Sequence, residues 1–242
     1  MKYIFLFLII LINSSLFSQI DIKNEIYQPK TELIGQLIIH NYYNLYFSEN
    51  YKQSLWVSYL LTTKMVNDGD NDIERLTYFK KDNLLNLESN SHSDYNNSGY
   101  DRGHLAPARD FKFNEIAYRE TFLTSNISPQ TKELNRYEWK YLEEHIRDIT
   151  IKKDSILIIT GPIFGNKKID KLYIPIAFWK IIYKNEQVVA YLLYNSREQI
   201  DFEYCLTTVD EIEKLTNIDF LSWLDDEIEN KIESEINNNF LK

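Results

Sequence analysis

The chain has 242 residues, with 36 acidic against 27 basic side chains, a formal net charge of −9 and a single cysteine. That length suits one large domain with a sizeable core, and a lone Cys205 excludes an intrachain disulfide. The negative balance argues against very tight general binding of a polyanion, which depends on clustered lysine and arginine displacing counterions. It does not describe a local cleft, because the acids gather in Asp225-Asp226-Glu227 and between Glu229 and Glu235. Arg102, Arg109, Lys112, Arg136, Lys140 and Arg147 lie together in the middle of the chain.

Lys2 precedes an apolar run from Tyr3 to Ile12, followed by Asn13-Ser14-Ser15 and Ser18-Gln19. A basic start, a short hydrophobic middle and a small, polar end are the layout of a secretory signal peptide. The run is shorter than the roughly 20 apolar residues that span a bilayer. The expectation is a signal peptide over residues 1–19 and a single domain over 20–242, secreted or periplasmic and without stable membrane association once the signal is cleaved. An uncleaved anchor is the alternative. No repeat or low-complexity linker divides the rest.

Ser54 to Leu61 reads as a strand. A polar stretch from Asn67 to Ser98 follows, broken by Arg75-Leu76-Thr77-Tyr78-Phe79, and His92 within it reads as a solvated side chain. Then comes Asp101-Arg102-Gly103-His104 with Ala106-Pro107. Imidazole titrates nearest neutrality, so a histidine at a loop mouth can take a proton from water. Gly103 would let the backbone turn sharply or a phosphate approach, and Asp101 reads as support for that turn.

Thr121 to Thr124 has strand character and leads into Ser125-Asn126, with Pro129 as a break. From Asn135 onward Trp139, Leu142, Ile146 and Ile149 recur at steps of three and four, the pattern of an amphipathic helix. Asn135 stands at the start of that pattern with Glu138 three residues on, the spacing of a capping box, so the residues alone read it as a cap. Glu143 lies about 12 Å further along at ~1.5 Å per residue, too far for both to hold one ion directly with ease. It would act through a bound water or through Arg147, four residues later.

Ser155 to Thr160 reads as a buried strand; Ala177 to Tyr183 and Gln187 to Asn195 as strands joined at Lys184-Asn185-Glu186; Val209 to Leu215 and Asp225 to Asn237 as helices. Nothing in this half looks catalytic, and Cys205 is given no role. The fold class expected is α+β, with a mostly antiparallel central sheet flanked by helices.

Asp101-Arg102-Gly103-His104 with Ala106-Pro107, Ser125-Asn126-Ile127 with Pro129-Gln130, and Leu134-Asn135 with Trp139 and Leu142-Glu143 resemble, in order and spacing, the DNA/RNA non-specific endonuclease family. Softer matches are Arg75, Phe79 and Asp82 upstream and Thr160-Gly161-Pro162, Ile174-Pro175 and Ala177 to Lys180 downstream, so the resemblance covers nearly the whole chain after its first twenty residues. It implies a ββα-metal active site with His104 as general base and Asn135 as the protein's ligand to magnesium, or to manganese or another divalent cation. The helix would then start a turn earlier, near Lys132 or Glu133. Asn126 would orient the base or the ion's water shell, Glu143 would act from outside the ion's ligands, Arg75 would reach the phosphate, and Arg102 and Arg147 are further phosphate contacts. DNA and RNA are the substrates implied. The rival readings are an inactive member that only binds nucleic acid and a phosphodiesterase for small nucleotides or lipids, which a closed apolar pocket would favour over an open basic groove.

Overall fold

A computed structural model describes residues 21–23, 27–70, 72–237 and 240; the expected signal segment lies outside them. In chain order the strands β1 (Gly35–Ile39), β2 (Asn44–Ser48) and β3 (Gln53–Thr62) are followed by a short helix α1 (Thr63–Asn67). After the long segment to residue 100 come β4 (Asp101–His104), helix α2 (Glu115–Glu120) and β5 (Ile127–Gln130). Helix α3 (Trp139–Lys153) is preceded by a π-helical turn over Leu134–Glu138. The rest comprises β6 (Ser155–Ile169), β7 (Leu172–Lys184), β8 (Gln187–Tyr194), β9 (Leu206–Thr207), α4 (Val209–Thr216) and α5 (Asp226–Glu233).

Seven strands form one sheet in the order β1-β2-β3-β6-β7-β8-β9, every neighbour antiparallel, while β4 and β5 pair separately. The central strands are apolar on both faces because both are covered. On one face Tyr59, Ile158, Phe178 and Ile182 pack under Trp139, Leu142, Ile146 and Ile149 of α3. On the other Leu157, Ile159, Trp179 and Ile181 meet Val209 and Ile212 of α4 and the segment Ile218 to Leu221. A smaller cluster of Phe79, Tyr95, Tyr118, Phe122 and Ile127 packs beneath the β4–β5 pair.

β8 and the turn joining it to β7 fall where their sequence patterns put them, that turn with Asn185 and Glu186 at φ 49° and 58°, whereas β6 runs on past Thr160 through Gly161-Pro162 to Ile169 and β7 starts at Leu172, before the expected Ala177. The strand expected at Thr121 to Thr124 does not form. Thr121 ends α2, its hydroxyl donating to the Tyr118 carbonyl (2.7 Å), and Thr124–Asn126 is a tight helical turn. The strand begins at Ile127 and contains Pro129, opposite Arg102. Proline is accommodated because the two-stranded ladder has a free edge where no N–H is needed. Among the described residues no helix is long and apolar enough to cross a membrane.

Candidate active site

The β4–β5 ladder places Gly103 opposite Ser128 and His104 opposite Ile127. Gly103 is buried in this extended strand, and a Cβ there would lie 2.1 Å from Gln130 Oε1. A larger residue would have to displace the Gln130 amide packed across it, and the extended backbone makes no sharp turn here.

The His104 ring is fixed between two aromatics, edge-on to Phe122 (centroids 4.9 Å, 82°) and tilted against Phe79 (5.4 Å). Its Nε2 is buried and has no hydrogen-bond partner in the protein. Burial, and secondarily the positive charge of Arg75, push its pKa down to about 3, so the imidazole is neutral throughout the physiological range.

Asn126 is placed differently from the expectation. Its side chain is fully buried: Oδ1 accepts from Ala106 N–H (2.9 Å), and Nδ2 donates to the carbonyls of Ala106 and Thr121 (both 2.9 Å). All of these bonds go to backbone. Asn126 therefore fixes the chain just after His104 and makes no hydrogen bond to the ring itself. Beside it Ser125 donates to Asp82 Oδ2 (2.6 Å), which also meets His40 Nε2 (2.9 Å), tying the turn to the inner segment.

The helix starts a turn before Asn135. Thr131 Oγ1 accepts from Leu134 N–H (3.3 Å), its carbonyl accepts from Asn135 N–H (2.9 Å), and residues 132 and 133 are already helical. Glu138 accepts from Phe202 N–H instead of closing a capping box. Asn135 is thus relieved of capping. Its Nδ2 donates to Asp101 Oδ2 (3.0 Å), which turns the amide oxygen the other way, and Arg136 holds the same carboxylate through Nε and Nη2 (2.7 and 2.9 Å). Burial works against the charged form of Asp101, but the bonds from Arg136 and Asn135 outweigh it and keep its pKa below the ordinary value. The π-turn around Asn135 is a local widening of the helix of a kind frequent at functional sites.

Arg75, His104, Pro107, Ala108, Arg109, Asn135, Lys140, Glu143, Glu144 and Arg147 line one cleft of about 390 Å³. Four of these are cations, two are carboxylates, and none is a large apolar side chain, so the pocket is not built for a lipid. Five of the seven residues singled out by sequence meet here, from three separate parts of the chain. Arg102 does not. Its guanidinium donates to the His92 carbonyl (3.2 and 2.8 Å) and to Asn96 Oδ1, bracing the neighbouring loop. Arg147 lines the cleft, but its ion pair is with buried Asp110 (2.8 Å) instead of Glu143.

Behind the cleft lies a group of buried charges that the sequence reading missed. Asp110 also accepts from Tyr59 Oη (3.0 Å). Lys180 points from β7 to the α3 side, between Phe178 and Ile182; it is fully buried, and its Nζ has no hydrogen-bond partner and stands 4.3 Å from the Trp139 ring centre. Burial raises the pKa of Glu143 and lowers that of Lys180, and each charge partly counters the other's shift. A lysine interrupting the apolar run Phe178-Trp179-Lys180-Ile181-Ile182 was the signal available in the sequence.

The cleft offers a cation one neutral amide oxygen, from Asn135, with Glu143 and Glu144 as further acceptors. Among the described residues the one group of three acidic or imidazole side chains close enough to share an ion is Asp210, Glu213 and Glu233, none of which lines the cleft. A site with so few protein donors fits a hard ion that keeps most of its waters.

Comparison with known proteins shows the family. The family model of the DNA/RNA non-specific endonucleases matches residues 22–227. A nuclease of Nostoc sp. is 30% identical over 220 residues, covering 84% of this chain and 79% of that protein. Human mitochondrial endonuclease G is 31% identical over 131 residues, which is 54% of this chain and 44% of that protein. Among solved structures, EndoG in its complex with EndoGI superposes with a TM-score of 0.69 at 26% identity, covering 79% of this chain and 88% of that one.

Proposed function

The chain belongs to the DNA/RNA non-specific endonuclease family and is by that membership a metal-dependent nuclease, and from this premise we propose that it is an exported, magnesium-dependent enzyme that hydrolyses phosphodiester bonds in both DNA and RNA. The observation that carries the reading is the meeting of an unpartnered imidazole nitrogen, an amide oxygen turned away from its Asp101 anchor and several cations in one cleft.

His104 Nε2 takes a proton from water, and the resulting hydroxide attacks phosphorus while the bond to the 3′ oxygen breaks; the departing 3′ oxygen takes a proton from solvent, leaving a 5′-phosphate and a 3′-hydroxyl, and His104 later gives its proton back to solvent. The 57° and 82° contacts with Phe79 and Phe122 keep the ring from rotating away. Its depressed pKa, set by burial first and Arg75 second, makes it a weak base; a phosphate beside Arg75 offsets the second cause and makes the imidazole more basic by that part. Asn135 would hold the ion, and Glu143 would accept hydrogen bonds from its waters. Bound there, magnesium supplies positive charge to the phosphate and the leaving oxygen. Arg75 contacts the phosphate, and Arg147, fixed by Asp110, is a positive wall. No group here needs the ribose 2′-OH, so the sugar is not discriminated. The apolar run Tyr3 to Ile12 supports export, and the negative overall charge suits an enzyme that must release its product.

Supercoiled plasmid, single-stranded DNA and RNA incubated with the purified protein, with and without Mg2+, test the proposal. All three are expected to be degraded to 5′-phosphate ends only when the ion is present. Cleavage of RNA alone to 2′,3′-cyclic phosphates would remove the water-and-metal mechanism.

A further inference from the structure

His92 is not simply solvated. It is the middle of an aromatic array that runs from the surface into the catalytic ring: Tyr78 lies on His92 (centroids 4.5 Å, 22°), His92 lies near-parallel to Phe79 (5.9 Å, 26°), and Phe79 touches His104 (5.4 Å). At the outer end Tyr78 is 60% exposed. Isolated exposed aromatics are common and need no explanation, but this one stacks on a ring that is held from several sides. His92 Nδ1 accepts from Phe79 N–H (3.2 Å) and its carbonyl takes both bonds from Arg102. Arg102 in turn lies over Tyr95 (5.7 Å), whose hydroxyl donates to the Ile127 carbonyl (3.1 Å), directly across the ladder from His104. Burial and the nearby Arg102 charge lower the His92 pKa, which favours the uncharged form of the second ring.

Building on the nuclease reading above, we propose that the open face of Tyr78 is a stacking platform for an unpaired nucleobase adjoining the phosphate held at His104 and Arg75. Arg75 and Tyr78 are three residues apart on one non-helical segment, so their backbones are within about 10 Å. A base next to the phosphate bound at Arg75 is therefore within reach of the ring. Every base has a π-face, so the platform adds affinity without sequence preference. Bases in a duplex are already stacked and cost a few kcal/mol to extrude. The platform consequently serves single strands, and it gives Arg102 a purpose in the site that direct phosphate contact does not.

Steady-state kinetics of the full chain on a single-stranded oligonucleotide, the same oligonucleotide carrying abasic nucleotides, and its duplex test this. Tyr78→Ala should raise KM on the intact single strand about tenfold, within the range for one lost base–aromatic stack, with kcat within about twofold, while KM on the abasic strand and the duplex moves by less than about twofold. Tyr78→Phe should behave as the parent. An unchanged KM on the intact strand, or an equal rise on the abasic one, overturns the platform. Should the parent protein cleave none of the three, the nuclease reading fails by itself; fluorescence anisotropy of the intact and abasic strands then decides the platform, which requires Tyr78→Ala to weaken the former alone.

Discussion

Replacing Asn126 with alanine separates support of the backbone from participation in the reaction. The native amide satisfies the Ala106 N–H and the Ala106 and Thr121 carbonyls at 2.9 Å each, in a site with no solvent exposure. Alanine leaves all of these buried groups unpaired, and each costs roughly 1–3 kcal/mol. Even at the low end the loss is about 3 kcal/mol, which for a domain of this size lowers Tm by roughly 6–12 °C at ~2–4 °C per kcal/mol. Ala106 is two residues from His104, so the relaxed loop should also misplace the imidazole, and a displacement of ~1 Å can cost about 100-fold in rate. Asn126→Asp should be at least as unstable at neutral pH, because a carboxylate has no N–H to give either carbonyl. Circular dichroism melting together with plasmid nicking rates measures both effects. An Asn126→Ala protein that melts with the parent but is inactive would refute this reasoning and return Asn126 to the reacting atoms.

His104→Ala should lose roughly two to four orders of magnitude in kcat while its melt and nucleic-acid affinity persist; near-normal nicking would end its assignment. In the parent, the unfolded chain binds a proton at this histidine below about 6.5 and the folded chain does so only near 3. His104 therefore costs native stability as pH falls from about 6.5, and the His104→Ala protein should lose less Tm between pH 7 and pH 4 than the parent. Asn135→Ser should fold normally, since Thr131 provides the cap, yet need much more Mg2+; Asp101→Asn should raise the half-saturating Mg2+ by roughly 10–100-fold by releasing Asn135, and unchanged metal titrations would show that neither serves the ion. Lys180→Met removes a buried cation that favours the ionised form of Glu143, so the acid limb of kcat should move to higher pH; an unmoved limb would separate the two residues. Far from the cleft, burial raises the pKa of Glu213 to about 7 and, with Glu213 beside it, that of Glu233 to about 8. The folded state keeps protons the unfolded state releases above about 4.5, so Tm should fall between pH 5 and pH 8, and Glu233→Gln should flatten that slope.

How much was readable in advance follows from what each residue depends on. The central strands and α3 were legible because unbroken apolar runs and period-three-four patterns report burial directly, as in Ile156 to Ile159 and in Trp139, Leu142, Ile146 and Ile149. The strand misplaced at Thr121 to Thr124 had the right composition, but the end of α2 and the bonds of Asn126 hold that chain in turns.

The chain by itself carried the resemblance to the family, and that resemblance, not the spacing alone, implies a base at His104, a hard-ion ligand at Asn135, a supporting carboxylate at Glu143 and a phosphate contact at Arg75. Only the tertiary structure decided which polar side chains face the cleft. Asn126 and Arg102 are as polar as Asn135 and Arg147, yet their partners are a buried loop and the His92 carbonyl, because a buried donor or acceptor must bond whatever the fold brings nearest. Lys180 and Asp110 acquire their meaning in the same way. Their charge matters because packing of β7 against α3 removes the water that would otherwise screen it.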